Sequence, residues 1–267
     1  MSLQTLIEWI RAHRWVALAL VALALLVMGY AALRRARGVR EQVAPPSGGF
    51  AMWRTADPDE RQAMMTTRAG VACPGAPFIL PADGWIGLLY GDPRSPYSQT
   101  HRHQGIDIFS PGPAGMTPVL AAYDGYVTRE PDWKSALIMR VPEDPLQPGR
   151  QIWLYYTHMA DETGENDFIS DAFPPGTREV FVEQGTLLGY TGDYSGDPLR
   201  GVWVHLHFSI VLDDGQGNYR SELEFNNTVD PSRYLGLPVN VACAPLVPAC
   251  DPNPLCEEAV LSAAGDE

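Results

Sequence analysis

VWVHLHFSIVL, residues 202–212, is the stretch that decides the fold. Its β-branched and aromatic residues mark a strand, with no helical apolar repeat. Side chains two apart in a strand share a face, so His205 and His207 stand side by side, roughly 7 Å apart along the backbone. Leu206 and Phe208 point to the other face and pack into a core.

Similar runs lie upstream: PVLAAYDGYVTR (118–129), ALIMRV (136–141), IWLYYTH (152–158) and EVFVEQGTLLGYTG (179–192). They alternate with Gly, Pro and Asp, and helical periodicity is absent from about Phe78 onward. This pattern predicts a mainly β, antiparallel-sheet domain over 78–240, with hairpin turns at Asp124-Gly125 and Asp214-Gly215. Residues 160–178 and 193–201 read as inserted loops. The first is acidic but lacks the alternating Asp/Asn pattern of a calcium loop, so it reads as solvated. Ahead of the domain, Asp57, Pro58, Asp59 and Glu60 open a short helix that Gly70 stops.

The chain has six histidines. Besides the pair in 202–212, His103 stands four residues before Asp107, and His158 closes the aromatic run 152–158. In a straight strand His103 and Asp107 would lie on the order of 13 Å apart, too far to share a metal with bonds of ~2.0–2.2 Å. The segment has to bend, and Gly105 is where a bulge would bend it. A buried, hydrogen-bonded histidine is commoner than a ligand, so each motif alone is weak. Four of the five histidines beyond residue 40 falling on one pattern is specific. His101 carries no motif, and His13 belongs to the N-terminal flank.

These residues resemble the lysostaphin/LytM-type zinc metallopeptidases, endopeptidases that cut peptide bonds in bacterial cell-wall peptidoglycan. The family's His-x-Gly-x-Asp stands as His103-Gln104-Gly105-Ile106-Asp107. Its Thr-Pro-Val-x-Ala and Asp-Gly-x-Val are Thr117-Pro118-Val119-Leu120-Ala121 and Asp124-Gly125-Tyr126-Val127. Tyr-x-His is Tyr156-Thr157-His158, the glycine-spaced approach runs from Gly185 through Gly189 to Gly192, and His-Leu-His-Phe is 205–208. The closing Asp-Pro-x-x-Tyr-Leu is Asp230 to Leu235, so the likeness covers roughly 83–237. Three departures stand out. Met116 separates Gly115 from Thr117, Trp203-Val204 replaces the usual Gly-Pro, and Ser209 stands where a Glu frequently follows the Phe.

The resemblance implies an open active-site groove and one Zn2+ per chain, held by His103, Asp107 and His207. His158 and His205 would be catalytic: one imidazole takes a proton from water and returns it to the leaving amine, the other stabilises the oxyanion. His205 as base and His158 at the oxyanion is one assignment; the two roles can be exchanged. No His-Glu-x-x-His helix supplies a glutamate base. Tyr156, Tyr190, Tyr194 and Trp203 line either the cleft or the core.

Composition sets the surroundings. Residues 15–33, WVALALVALALLVMGYAAL, carry no charge and are long enough for a transmembrane helix behind a flank at 1–14. A linker with the short helix follows at 34–77. Arginines at 34, 35, 37 and 40 favour a cytoplasmic body by the positive-inside rule, against Arg11 and Arg14 on the other side. The four cysteines, Cys73 before the motifs and Cys243, Cys250 and Cys256 in a Cys/Pro-rich tail at 241–267, favour an oxidising compartment. Cys73–Cys243 with Cys250–Cys256 is the favoured pairing. Residues 41–267 hold 13 basic and 31 acidic side chains, a net charge of −18 that repels nucleic acid. The expected protein is therefore a single-pass, membrane-anchored zinc endopeptidase with an extracytoplasmic domain acting on peptidoglycan. Its rivals are a catalytically silent domain that activates a cell-wall amidase and a zinc peptidase acting on protein. A regulatory protein partner is left unidentified.

Overall fold

The computed structural model describes residues 55–93 and 102–245, together with 23, 28, 52, 53, 248–251, 253 and 254. The chain divides into two compact units, residues 1–43 and 44–267. Of the proposed membrane helix at 15–33, only Leu23 and Met28 are described, both helical; the rest lies outside the described residues, as do the flank 1–14, residues 34–51, His101 and His13. No helix among the described residues is long and apolar enough to cross a membrane.

The second unit opens with helix α1 (Pro58–Met64), started by a capping box. Asp57 accepts a hydrogen bond from Glu60 N, and Glu60 accepts one from Asp57 N. The helix ends before Gly70, the stop read from sequence. Thr66 and Thr67 instead turn to donate their backbone N–H groups to Gly84 O.

The strands are β1 (Trp85–Leu88), β2 (Ile106–Phe109), β3 (Pro118–Leu120), β4 (Gly125–Thr128), β5 (Leu137–Val141), β6 (Ile152–Thr157), β7 (Val180–Val182), β8 (Leu187–Tyr190), β9 (His205–Leu212) and β10 (Thr228–Val229). A mainly antiparallel β architecture is thus observed. The main sheet runs β1-β2-β9-β6-β5-β4-β7, with β10 paired to the distal half of β9, and β3 and β8 form a second, two-stranded sheet.

Two sequence expectations are corrected. Runs 118–129 and 179–192 each break into two strands that enter different sheets. Asp124-Gly125 is therefore no hairpin turn: Gly125 pairs with Val182 inside the main sheet, while β3 pairs with β8. Asp214-Gly215 does turn, with Gly215 at φ +85° and Asp214 N donating to Asn218 O. The second correction concerns the cysteines. Cys73 bonds Cys250, not Cys243, and Cys243 is also disulfide-bonded. The reason is that Gly236, after helix α2 (Ser232–Leu235), turns in the left-handed region and accepts from Asp251 N, which brings Cys250 against Cys73.

β9 is the axis of the sheet. One face carries Leu206, Phe208 and Ile210, which join Ile106, Ile108, Leu154 and Tyr156 in the main core, all fully buried. Burying a side chain such as Phe208 contributes roughly 1.5–3 kcal/mol. The opposite face is covered at its two ends by small aromatic clusters, Trp53–Trp85–Phe109 and Ile138–Trp153–Val211. The imidazoles of His205 and His207 occupy the stretch of that face between them.

Candidate metal centre

Register places the first donors. β2 pairs with β9 so that Asp107 lies opposite His207 and Phe109 opposite His205. Just before β2 the chain bends at Gly105 and returns His103 to Asp107, with Nε2 3.1 Å from Oδ1. The glycine does not make the expected bulge, for the β2–β9 register is unbroken from Ile106 to Phe109. What requires it is close approach: a Cβ there would sit 2.2 Å from Phe208 O.

His158 arrives by a different device. Along β6, residues 152, 154 and 156 face the core, so regular alternation would send residue 158 there too. His158 instead takes φ +70°, in the left-handed region that a non-glycine residue rarely enters. Its ring lies 4.3 Å from that of His205 and 6.2 Å from that of His207, centroid to centroid. Gly192 makes room for this crossing, since a Cβ on it would meet Ala160 O at 2.1 Å and His158 O at 2.6 Å. Gly192 also bridges to His205, so one glycine holds both histidine-bearing segments together.

Each of the four imidazoles spends one nitrogen on an oxygen acceptor. His103 Nδ1 donates to Leu89 O (3.0 Å), His158 Nδ1 to Tyr194 O (2.6 Å), and His205 Nδ1 to Trp203 O. His207 Nε2 donates to the Glu222 carboxylate at 2.9 Å. A carbonyl or carboxylate only accepts, so these bonds fix one proton on each ring and turn the opposite nitrogens toward the site, where His207 Nδ1 faces the Asp107 carboxylate. His103 Nε2, His207 Nδ1 and Asp107 Oδ1 then meet 2.8–3.1 Å apart. His205 Nε2 stands 3.6 Å from the second Asp107 oxygen.

The electrostatics follow from crowding. Burial alone would raise Asp107, but the neighbouring His103 and His205 and hydrogen bonds from His103 and His207 hold its carboxyl well below the usual range. Burial opposes charge on His207, yet hydrogen bonds to Asp107 and Glu222 prevail and push its pKa up to about 10. For His158, burial and then repulsion from His205 and His207 bring the pKa down to about 3. Burial likewise lowers His205, although Asp107 and its hydrogen bond to Trp203 O pull the other way.

The donor set fits a divalent cation. Two imidazole nitrogens and a carboxylate converge with one proton among them, and loss of that proton leaves the electron-rich arrangement a metal resolves. Zinc bonds of ~2.0–2.1 Å at tetrahedral angles put neighbouring donors about 3.3 Å apart, close to the spacing present. His103, Asp107 and His207 form the one such group among the described residues. The proton on His207 must leave before Nδ1 can ligate.

All five residues singled out in the sequence are gathered at one place. The residue that sequence reading missed is Glu222, which carries no motif and sits in the loop between β9 and β10. Of the four aromatic candidates, Tyr156 is core, its Oη accepting from Ala122 N. Tyr194 and Trp203 serve the site through their carbonyls, and Tyr190 lies in β8 opposite Pro118. The acidic loop closes on itself: Asp161 accepts from Thr163, Glu165 and Asn166.

No family model and no curated protein matches the chain. Among solved structures it is similar to lysostaphin- and LytM-type peptidases. Lysostaphin from Staphylococcus simulans is 20% identical, over 57% of this chain and 49% of that one, with a TM-score of 0.35. A provisionally named glycyl-glycine endopeptidase, LytM from Ruminococcus gnavus, is 25% identical, over 53% and 50%, with a TM-score of 0.34. The catalytic domain of the prophage-encoded M23 protein EnpA from Enterococcus faecalis is 20% identical, over 56% and 95%, with a TM-score of 0.33. The chain spans about half the length of the first two.

Proposed function

We propose that this chain is a zinc-dependent endopeptidase that hydrolyses peptide bonds of bacterial peptidoglycan at the histidine-bearing face of β9. The observation that carries the proposal is the meeting of His103 Nε2, Asp107 Oδ1 and His207 Nδ1 at 2.8–3.1 Å beside two further imidazoles whose Nδ1–H groups are committed to carbonyls. His103 Nε2, Asp107 and His207 Nδ1 would hold the metal. When bound, zinc supplies Lewis acidity at the scissile carbonyl and at the attacking water.

The remaining steps belong to the chain's own side chains. His205 Nε2 takes a proton from the attacking water and passes it to the leaving amine. Asp107, 3.6 Å away, favours the imidazolium that forms. His158 also begins as an acceptor, because its Nδ1–H is committed to Tyr194 O. His205 starts in the same tautomer, its Nδ1–H committed to Trp203 O, so it is the Asp107 carboxylate beside it that favours His205 as first base over the exchanged assignment. Peptidoglycan as substrate, anchoring through residues 15–33 and an extracytoplasmic domain form one reading with the disulfides, which persist in oxidising compartments. Long domains cross membranes largely regardless of flanking charge, which reconciles the arginines at 34–40 with it.

The test is digestion of purified sacculi by the full-length protein, with and without chelator, followed by mass analysis. New amines at a stem or bridge peptide bond, lost with chelator and restored by zinc, are the expected result. Sacculi left intact by zinc-loaded protein would overturn the wall-hydrolase reading, and release of amines from a protein substrate instead would redirect it. Reporter fusions after residue 267 and before residue 15 test the topology.

A further inference from the structure

Glu222 stands apart from every motif in the chain, yet it holds a ligand. Its Oε1 accepts from His207 Nε2 at 2.9 Å, and its side chain is 15% exposed. The loop on either side is tied down. Gln104, next to His103, donates its side-chain amide to Leu223 O at 3.0 Å, and Asn227 donates to Ser221 O at 3.0 Å. The carboxylate is therefore held in place from both sides, not swung in on a loose loop.

Ser209 lies two residues beyond His207 on the same face of β9, fully buried, and its Oγ has no hydrogen-bond partner of normal geometry. It lies beside the Glu222 carboxylate.

We infer that Glu222 is the positioning residue of the metal centre, a carboxylate delivered by the β9–β10 loop that fixes the tautomer and tilt of His207 and strengthens Nδ1 as a ligand. The inference rests on the metal reading above. Partners of this kind typically govern metal affinity by about 10–100-fold. The contact also makes the loop part of the site, so the loop's course and the affinity for metal are coupled.

The test is chelator competition for zinc on the full-length protein, comparing wild type, Glu222→Gln, Glu222→Ala and Glu222→Ala/Ser209→Glu. Near-ultraviolet circular dichroism and the thermal midpoint without metal report folding separately. Zinc affinity is expected to fall about tenfold or more in Glu222→Ala and less in Glu222→Gln, which keeps an acceptor oxygen. The double variant, which returns a carboxylate from the strand, is expected to recover at least half of the loss on a logarithmic scale. A role in folding alone would move the thermal midpoint and leave affinity untouched. Affinity within twofold of wild type in Glu222→Gln and in any folded Glu222→Ala would overturn the inference. Absence of zinc uptake by the wild type would instead overturn the metal reading, and the inference with it.

Discussion

The two faces of β9 obey opposite rules on one backbone. Leu206, Phe208 and Ile210 face the apolar core, and their contribution scales with area removed from water. His205, His207 and Ser209 face a surface that is equally dry, with exposures of 4%, 5% and 0%. There a side chain is tolerated only if each polar atom has a partner, because an unsatisfied buried group costs about 1–3 kcal/mol. The difference teaches that burial by itself does not tell core from site. The arithmetic of hydrogen bonds does: four imidazoles each spend one nitrogen on an oxygen acceptor outside the cluster and turn the other toward the same carboxylate and toward one another, a convergence of polar atoms that no core contains.

The comparison breaks most severely on the site face. His103→Ala removes one of three converging donors, and zinc content and peptidase activity are both expected to fall to background by metal analysis and sacculus digestion. His205→Ala is expected to keep zinc near one per chain while activity drops about 10²–10⁴-fold, the usual worth of an acid–base group. Loss of zinc in that variant would make His205 a ligand, and full activity would remove it from catalysis. On the core face the expected losses are of stability. Phe208→Ala should cost about 3–5 kcal/mol in denaturant melts, since its ring packs on Tyr156 at 5.2 Å with no route for water to fill the space. A paired Cys73→Ser/Cys250→Ser variant removes a tie across 177 residues that closes on the same core, and about 2–5 kcal/mol is the expected cost, with zinc affinity unchanged.

Much of this was legible because chemistry and sterics constrain the same residues. His-x-Gly-x-Asp announces itself because a bend against β9 tolerates only glycine between the two donors, and Gly105 sits 2.2 Å, Cβ to oxygen, from showing why. The alternation of 202–212 gave both faces of the central strand. β1, β2 and β10 were not legible, being two to four residues long and buried or paired by context more than by pattern. The disulfide could not be read from spacing, because the turn at Gly236 decides which cysteine reaches Cys73. Glu222 was hidden for the same reason. Its distance from His207 in sequence means nothing until the loop is folded back by Gln104 and Asn227.

The smallest expected effect lies where the two rules collide. Ser209 is a polar side chain on the site face with a buried hydroxyl and no hydrogen-bond partner of normal geometry. If the hydroxyl is an uncompensated cost, Ser209→Ala should stabilise the protein by about 1 kcal/mol, because the alanine keeps the packing and drops the orphan group. Thermal and denaturant melts of the metal-free protein resolve a change of that size. A loss of more than about 0.5 kcal/mol would mean that the hydroxyl is satisfied in solution, with Glu222 beside it as an acceptor. Ser209 would then belong with Glu222 and His207 to one hydrogen-bonded chain, and the site face would extend one residue further along β9 than its histidines mark.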